Sequence, residues 1–277
     1  MNALISELGK RLPDRWLVQV FLAGLLWSAA AFIAHDVGHA HALDPRSYTM
    51  VTRDLSVRLS GSPSSAAAIL LRAVALAALA AFAAQAFALG IRALSLGQWK
   101  GIAAPAARRL TRIRRSRAEE RARREAPDHQ PPAVYLPQRP TWIGDRLRLT
   151  DARIHAQYHL RLSLIWSRLW LILDPEIRNE VRSTQSRYEA GFIRTAWSLP
   201  YFILAFFSWP YAFISILVAA LGWRYTRAAT MGFSQMVESV VDIHHSKLAE
   251  SLGHPITQNG MTTEIAGSIN DLLNKGA

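Results

Sequence analysis

The residues best suited by type and spacing to do chemistry are the histidines of HDVGHAH: His35, His39 and His41, with Asp36 beside the first. Imidazole nitrogens bind zinc and copper, and a helix that ran on would set His35 and His39 on one face. The plainer reading is a polar segment of interfacial and loop histidines that runs into Leu43-Asp44-Pro45. A second cluster, DIHH from Asp242 to His245, places adjacent histidines about 100° apart on a helix, too far round to chelate together. No metal, cofactor or catalytic residue is therefore assigned. No Walker loop, Gly-rich dinucleotide turn, G-x-S-x-G or H-E-x-x-H occurs, and GFSQM (Gly232–Met236) is no nucleophile elbow. Carboxylates stand mostly beside arginines, so no general acid–base pair emerges. The chain has no cysteine, which removes thiol nucleophiles, disulfides and Cys-ligated metals. Nothing argues for an enzyme.

The elements that carry these residues are unusual in composition. Of 277 residues, 51% are hydrophobic and the formal net charge is +12, but apolar residues and arginines are pooled in separate stretches. Such pooling predicts an all-α membrane protein. The first apolar block, Trp16–Ala34, follows Lys10, Arg11 and Arg15 and has the length to cross a hydrocarbon core of roughly 30 Å. A signal peptide with a site at Ala40-His41-Ala42 competes with it, but the apolar run is long and the site lies well past its end. The second block, Ala73–Ile91, is held between Arg72 and Arg92. Small residues recur along it at Ala73, Ala77 and Ala81, and at Ala80, Ala84 and Ala88, with Gly24 and Ser28 as a matching pair in the first block. Those faces suit a close antiparallel transmembrane hairpin, although Ala-rich helices produce such spacings by chance.

Orientation follows from charge. The loop His35–Ser65 is near neutral, whereas the segment after the second block carries Arg92, Lys100, Arg108, Arg109, Arg112, Arg114, Arg115, Arg117, Arg121, Arg123 and Arg124. The positive-inside rule places that segment and the N-terminus in the cytosol, where anionic lipid headgroups attract the basic run. The run lacks aromatics and is interrupted by Glu119, Glu120 and Glu125, so nucleic acid is the weaker partner. From Ala104 to Glu125 it reads as an exposed helix with Leu110 and Ile113 as its few apolar points, ended by Pro127.

The third block, Trp197–Trp223, admits two structures. It is either one span of roughly 39 Å kinked at Pro210, or a hairpin in which Ser208 caps a new helix and Pro210 sits in its first turn. Arg187 and Arg194 before it, and Arg224 and Arg227 after it, favour the hairpin. Between the second and third blocks, Glu125–Asp145 is a Pro-rich linker. The stretch Arg146–Leu173 then mixes periods: Leu149, Ile154 and Tyr158 share a helical face, while Leu160, Leu162 and Leu164 alternate as in a strand. Leu164–Leu173 suits a membrane-interface element or the core of a small domain. A helix from Pro175 to Phe192 leads into the third block. Beyond it, Phe233, Met236, Val237, Val240, Val241 and Leu248 line one side of a helix, and Ser234, Glu238, Asp242, His245 and Glu250 the other. Gly253 and Pro255 close it, and a last helix runs from Thr263 to Asn274 with Ile265, Ile269, Leu272 and Leu273 on one face.

The expected organisation is a two-helix membrane hairpin (1–95), a basic helix and linker (96–139), a cytosolic or interfacial region (140–194), a third membrane block (195–224) and an amphipathic helical tail (225–277). No internal repeat occurs, and Gln85 is the only strongly polar side chain deep in a block, which argues against an ion-coupled transporter. PTWIGDRLR (Pro140–Arg148), WSRLWLILD (Trp166–Asp174) and GWRYTRA…VESVVDIH…LAESLG (Gly222–Gly253) resemble a set of uncharacterised multi-pass membrane proteins of high-GC bacteria. That resemblance covers roughly the second half, implies a bacterial inner-membrane protein, and transfers no activity. The expected function is a non-enzymatic membrane scaffold or regulator whose cytosolic helices bind a protein partner or self-associate. The alternative is a pore-forming or membrane-perturbing effector.

Overall fold

The computed structural model describes residues 14–125, 132–255 and 260–274, with side chains described from Leu22 onward. Among these residues the regular structure is helical throughout, without strands. The chain divides into two compact units, each drawn from two stretches: Met1–Gly90 with Phe192–Trp223, and Ile91–Gly191 with Arg224–Ala277.

The first unit is built mostly from apolar helices, with one polar helix among them. Helix α1 spans Asp14–Val37, α2 Pro45–Gly61 and α3 Pro63–Ser95. Among the described residues α3 alone is long and apolar enough to cross a membrane; Leu22–Val37 of α1 is apolar but shorter. The expected charges at Lys10 and Arg11 lie outside the described residues. Close contact of α1 with α3 occurs where the small residues allow it. A Cβ on Gly24 would stand 2.8 Å from the Ala77 carbonyl oxygen and 3.1 Å from the Ala77 methyl. Ser28 is buried and donates to its own helix at the Leu25 carbonyl, 2.9 Å away. The other small line turns to the third block: Ala80 and Ala84 are buried against Trp197. The stretch between α1 and α3, expected as a loop, is instead the helix α2. Asp44 caps it, accepting from the Arg46 amide at 3.0 Å, and Pro45 fills the first turn, where a missing N–H costs nothing.

The third block folds as a hairpin. Helix α7 (Pro175–Ala196) is followed by the short α8 (Ser198–Leu204), a turn, and α9, which begins at Pro210. Ser208 does not cap with its side chain, whose hydroxyl is buried without a partner; its carbonyl instead accepts from the Tyr211 amide at 3.2 Å. Ser215 on the returning arm donates to the Ser198 carbonyl at 2.8 Å, and a Cβ on Gly222 would meet the Thr195 backbone at 2.7 Å. Helix α9 does not end with the apolar block. It runs unbroken from Pro210 to Ser251.

The second unit holds α4 (Ala104–Glu125), α5 (Trp142–Tyr158), α6 (Leu162–Ile172), most of α7, the later part of α9, and α10 (Thr263–Leu273). Pro127, the expected stop for α4, lies outside the described residues. The Pro-rich segment ends earlier than expected, because Thr141 caps α5 by accepting from the Gly144 amide at 3.2 Å. The Leu160–Leu164 alternation is not a strand. His159 turns the chain at φ 57°, Leu160 is buried in the turn, and α6 starts at Leu162. Ile165, Leu169 and Leu173 join Ile154, Val181, Val237, Val241, Leu248 and Ile269 in one core, so α6 contributes its buried face to a helical domain. Asn270 of α10 fastens that turn, donating to the His159 carbonyl at 2.9 Å and accepting from the Arg161 amide at 3.1 Å. Helix α9 ends as its Gly253 requires: φ is +82°, the Gly253 amide donates to the Glu250 carbonyl, and the His254 amide reaches back to Ala249 at 2.9 Å.

Candidate functional site

The histidines singled out by spacing are not assembled as ligands. Helix α1 ends at Val37, and Gly38 at φ +66° breaks the register between His35 and His39. His35 pairs with Asp36 at 3.2 Å and stands against the Phe207 ring, while the His39 Nε2 atom meets the Phe206 carbonyl oxygen at 2.9 Å. His41 is exposed. His244 and His245 each turn Nδ1 back to a carbonyl of their own helix, Val240 at 3.2 Å and Val241 at 3.1 Å. Among the described residues no three His, Cys, Asp or Glu side chains come together as a metal set.

His35 and Asp36 instead stand in a cleft of about 450 Å³ within the first unit. Its wall is apolar, with Trp27, Phe32, Leu76, Ile203 and Phe207, and Arg58 joins the two polar residues. A smaller hollow of about 140 Å³ shares Phe32, Asp36 and Arg58 and adds Asp54 and Arg72. Arg58 is ion-paired with Asp54 one helical turn away, both side chains exposed. The Trp27 indole N–H is buried without an acceptor.

The second unit contains a charged seam that sequence reasoning missed. Its first knot is Asp145, in the first turn of α5 and buried. The Asp145 carboxylate accepts from the Gln138 amide at 3.0 Å and from Arg148 at 3.1 Å, and pairs with Arg114 of α4 at 3.5 Å. Arg114 also donates to the carbonyls of Arg139 and Thr141, and Arg148 to those of Val134 and Leu136. Burial lowers the affinity of Arg114 for its proton, Asp145 opposes that, and Arg227 adds to it.

The second knot is Glu238 of α9, which accepts from the Thr150 hydroxyl at 3.0 Å and pairs with Arg146 and Arg153 of α5. One turn on, Asp242 accepts from the Tyr158 hydroxyl at 2.9 Å. Burial first, and then this hydrogen bond, push Tyr158 up to about 12. The polar side of α9, with Glu238 and Asp242, is thus the side on which α5 is stitched. Glu238, Asp242, Arg153 and Gln157 also line an open cleft of about 430 Å³. Each carboxylate here has a cation or hydroxyl partner, and these contacts stitch α5 to α9 electrostatically. Sequence spacing gave no signal for it, since Thr150 and Glu238 lie 88 residues apart.

On α4 the inner side is made of Ala107, Thr111, Arg114, Ala118 and Ala122, all buried or half-buried. Arg108, Arg109, Arg112, Arg117, Arg121, Arg123 and Arg124 are exposed, together with Leu110 and Ile113. Comparison of the chain with protein-family models, with curated proteins and with solved structures yields no match.

Proposed function

We propose that this protein is a non-enzymatic, multi-pass membrane scaffold or regulator of the bacterial inner membrane, whose hydrophilic helices bind a protein partner or a second copy. One observation carries the membrane reading: α1, α3, α8 and the start of α9 turn large apolar side chains outward, while small residues are buried where α3 meets its neighbours. Ala77, Ala80, Ala84 and Ser28 are buried, while Leu22, Leu26, Leu79, Phe82, Leu89, Phe206, Phe213, Leu217 and Leu221 point outward and are exposed. In water such a surface would be a large apolar patch; in hydrocarbon it costs nothing, and small residues inside allow close helix approach. In this reading the α1–α3 pair and the α8–α9 hairpin would each enter and leave the membrane on one side, which matches the arginines on the flanks of both. The positive-inside rule then assigns α4 to the cytosolic face, where its outward arginines meet anionic headgroups. The resemblance of the second half to multi-pass proteins of high-GC bacteria points the same way.

Two measurements test the reading. The full chain should resist alkaline carbonate extraction from membranes, and a fusion after Ala277 should report the cytosolic side with a matched fusion after Ser60 reporting the opposite side. Release by carbonate, or a C-terminus on the same side as Ser60, overturns it. Crosslinking in membranes should trap a reproducible oligomer or partner; a lone monomer would leave the scaffold role without support.

A further inference from the structure

We propose that the cleft at Trp27, Phe32, Leu76 and Phe207 is a binding site for a zwitterionic amphiphile, a lipid whose head carries both a phosphate and an ammonium group. The inference goes beyond the scaffold reading and rests on the cleft alone, all of whose lining lies in the first unit. Its volume of about 450 Å³ is within the range of ligand sites, and its wall is aromatic and aliphatic with polar groups gathered among His35, Asp36 and Arg58. That division matches an amphiphile, with an acyl chain along the wall and a head among the polar residues.

The charges choose the head. The cleft and its neighbouring hollow hold two cations, Arg58 and Arg72, and two anions, Asp36 and Asp54. A purely anionic head would suit the arginines but face both carboxylates. A purely cationic head would do the reverse. A phosphate joined to an ammonium group satisfies both sets, the phosphate on guanidinium and the ammonium on carboxylate. The existing Arg58–Asp54 pair is exposed and one helical turn long, so its exchange for a ligand costs little.

The test uses the full chain purified in a maltoside detergent, with fluorescent lysophosphatidylethanolamine as probe and lysophosphatidylglycerol of the same chain length as comparison. Saturable binding at one probe per chain is expected, at least ten-fold tighter for the ethanolamine head. Ala31→Trp and Leu76→Trp, which fill the cleft, should each abolish it, and Asp36→Asn with Asp54→Asn should erase the preference between heads. Should the filling variants not fold, bromine on the acyl chain gives a second reading: quenching of tryptophan fluorescence in the native chain that is diminished in Trp27→Phe. Non-saturable binding, binding unchanged in a folded cleft-filling variant, or quenching unchanged in Trp27→Phe overturns the site. Equal affinity for the two heads overturns the zwitterionic assignment. Because binding is read in detergent, it fails or succeeds independently of the carbonate and fusion results.

Discussion

Asp145 is the residue whose loss should speak most clearly. Asp145→Asn keeps the shape and removes the charge, leaving Arg114 and Arg148 to share a neutral amide that can turn an N–H toward a guanidinium. Breaking a fully buried ion pair from one side costs about 3–5 kcal/mol. Here the carboxylate side chain is 5% exposed, but those of Arg114 and Arg148 are 25% and 14% exposed, so water relieves part of the loss. The amide also keeps the Gln138 contact. A net cost of about 2–3 kcal/mol follows from hydrogen bonds to charged groups at roughly 1.5–3 kcal/mol each. The cost should fall locally, because Arg114 is the side chain that binds α4 to α5. Amide hydrogen exchange along Thr111–Ala122 should therefore accelerate on the order of 30- to 150-fold, at a factor of ten per 1.4 kcal/mol. Arg114→Met should release the same segment, and the double variant should lose less than the sum of the two. Exchange in Asp145→Asn within two-fold of native, in a protein of unchanged helicity, would refute the view that this knot holds α4.

Gly24→Ala should lower the midpoint of thermal unfolding in detergent by the equivalent of about 1–3 kcal/mol, since the added methyl meets the Ala77 backbone. Gly90→Ala, where a Cβ meets open space, is the control and should be neutral or stabilising. Asn270→Ala leaves the His159 carbonyl and the Arg161 amide without their partner; a cost of about 1–3 kcal/mol is expected, read by denaturant unfolding of the core around Ile269. Tyr158 supplies a pH signature. Its folded value, pushed up to about 12, exceeds the ordinary value of 10, so the stability it contributes is complete below pH 10 and is lost as pH rises toward 12. Tyr158→Phe should flatten that alkaline decline, and an ultraviolet titration should lose a phenol that titrates at about 12.

Part of this architecture was readable because local rules decided it. Nineteen residues between Arg72 and Arg92, of which Gln85 is the one strongly polar member, leave little choice but a helix, and Gly253 with Pro255 announces the end of α9. The Gly24–Ala77 contact was also legible, as small residues can meet only where backbones approach. Other features depend on distant partners. Helix α2 exposes nearly all of its side chains, so no apolar stripe marks it, and Asp44-Pro45 was the single available sign. The Leu160–Leu164 alternation has the period of a strand, but His159 in the left-handed region and the Asn270 clamp convert it to a turn between helices. The seam around Asp145 and Glu238 could not be inferred, because residues that look like the polar face of α9 are matched by arginines far back in the sequence. His39 illustrates the same limit, its ring being held by a carbonyl 167 residues on.

The division of the chain has a consequence for biogenesis. Each unit is assembled from two stretches, and each is interrupted by part of the other: residues 91–191 separate Gly90 from Phe192, and residues 192–223 separate Gly191 from Arg224. A ribosome that has released α1 to α3 has therefore made helices whose partner Trp197 does not yet exist. When α5 and α6 emerge, the valines of α9 that complete their core are still unwritten. Loop closure over such separations is slow, and the waiting segments expose alanine faces and apolar ridges meanwhile. Premature termination within α7 would thus leave two incomplete units rather than one finished and one missing, and neither half of the chain is a self-sufficient fragment.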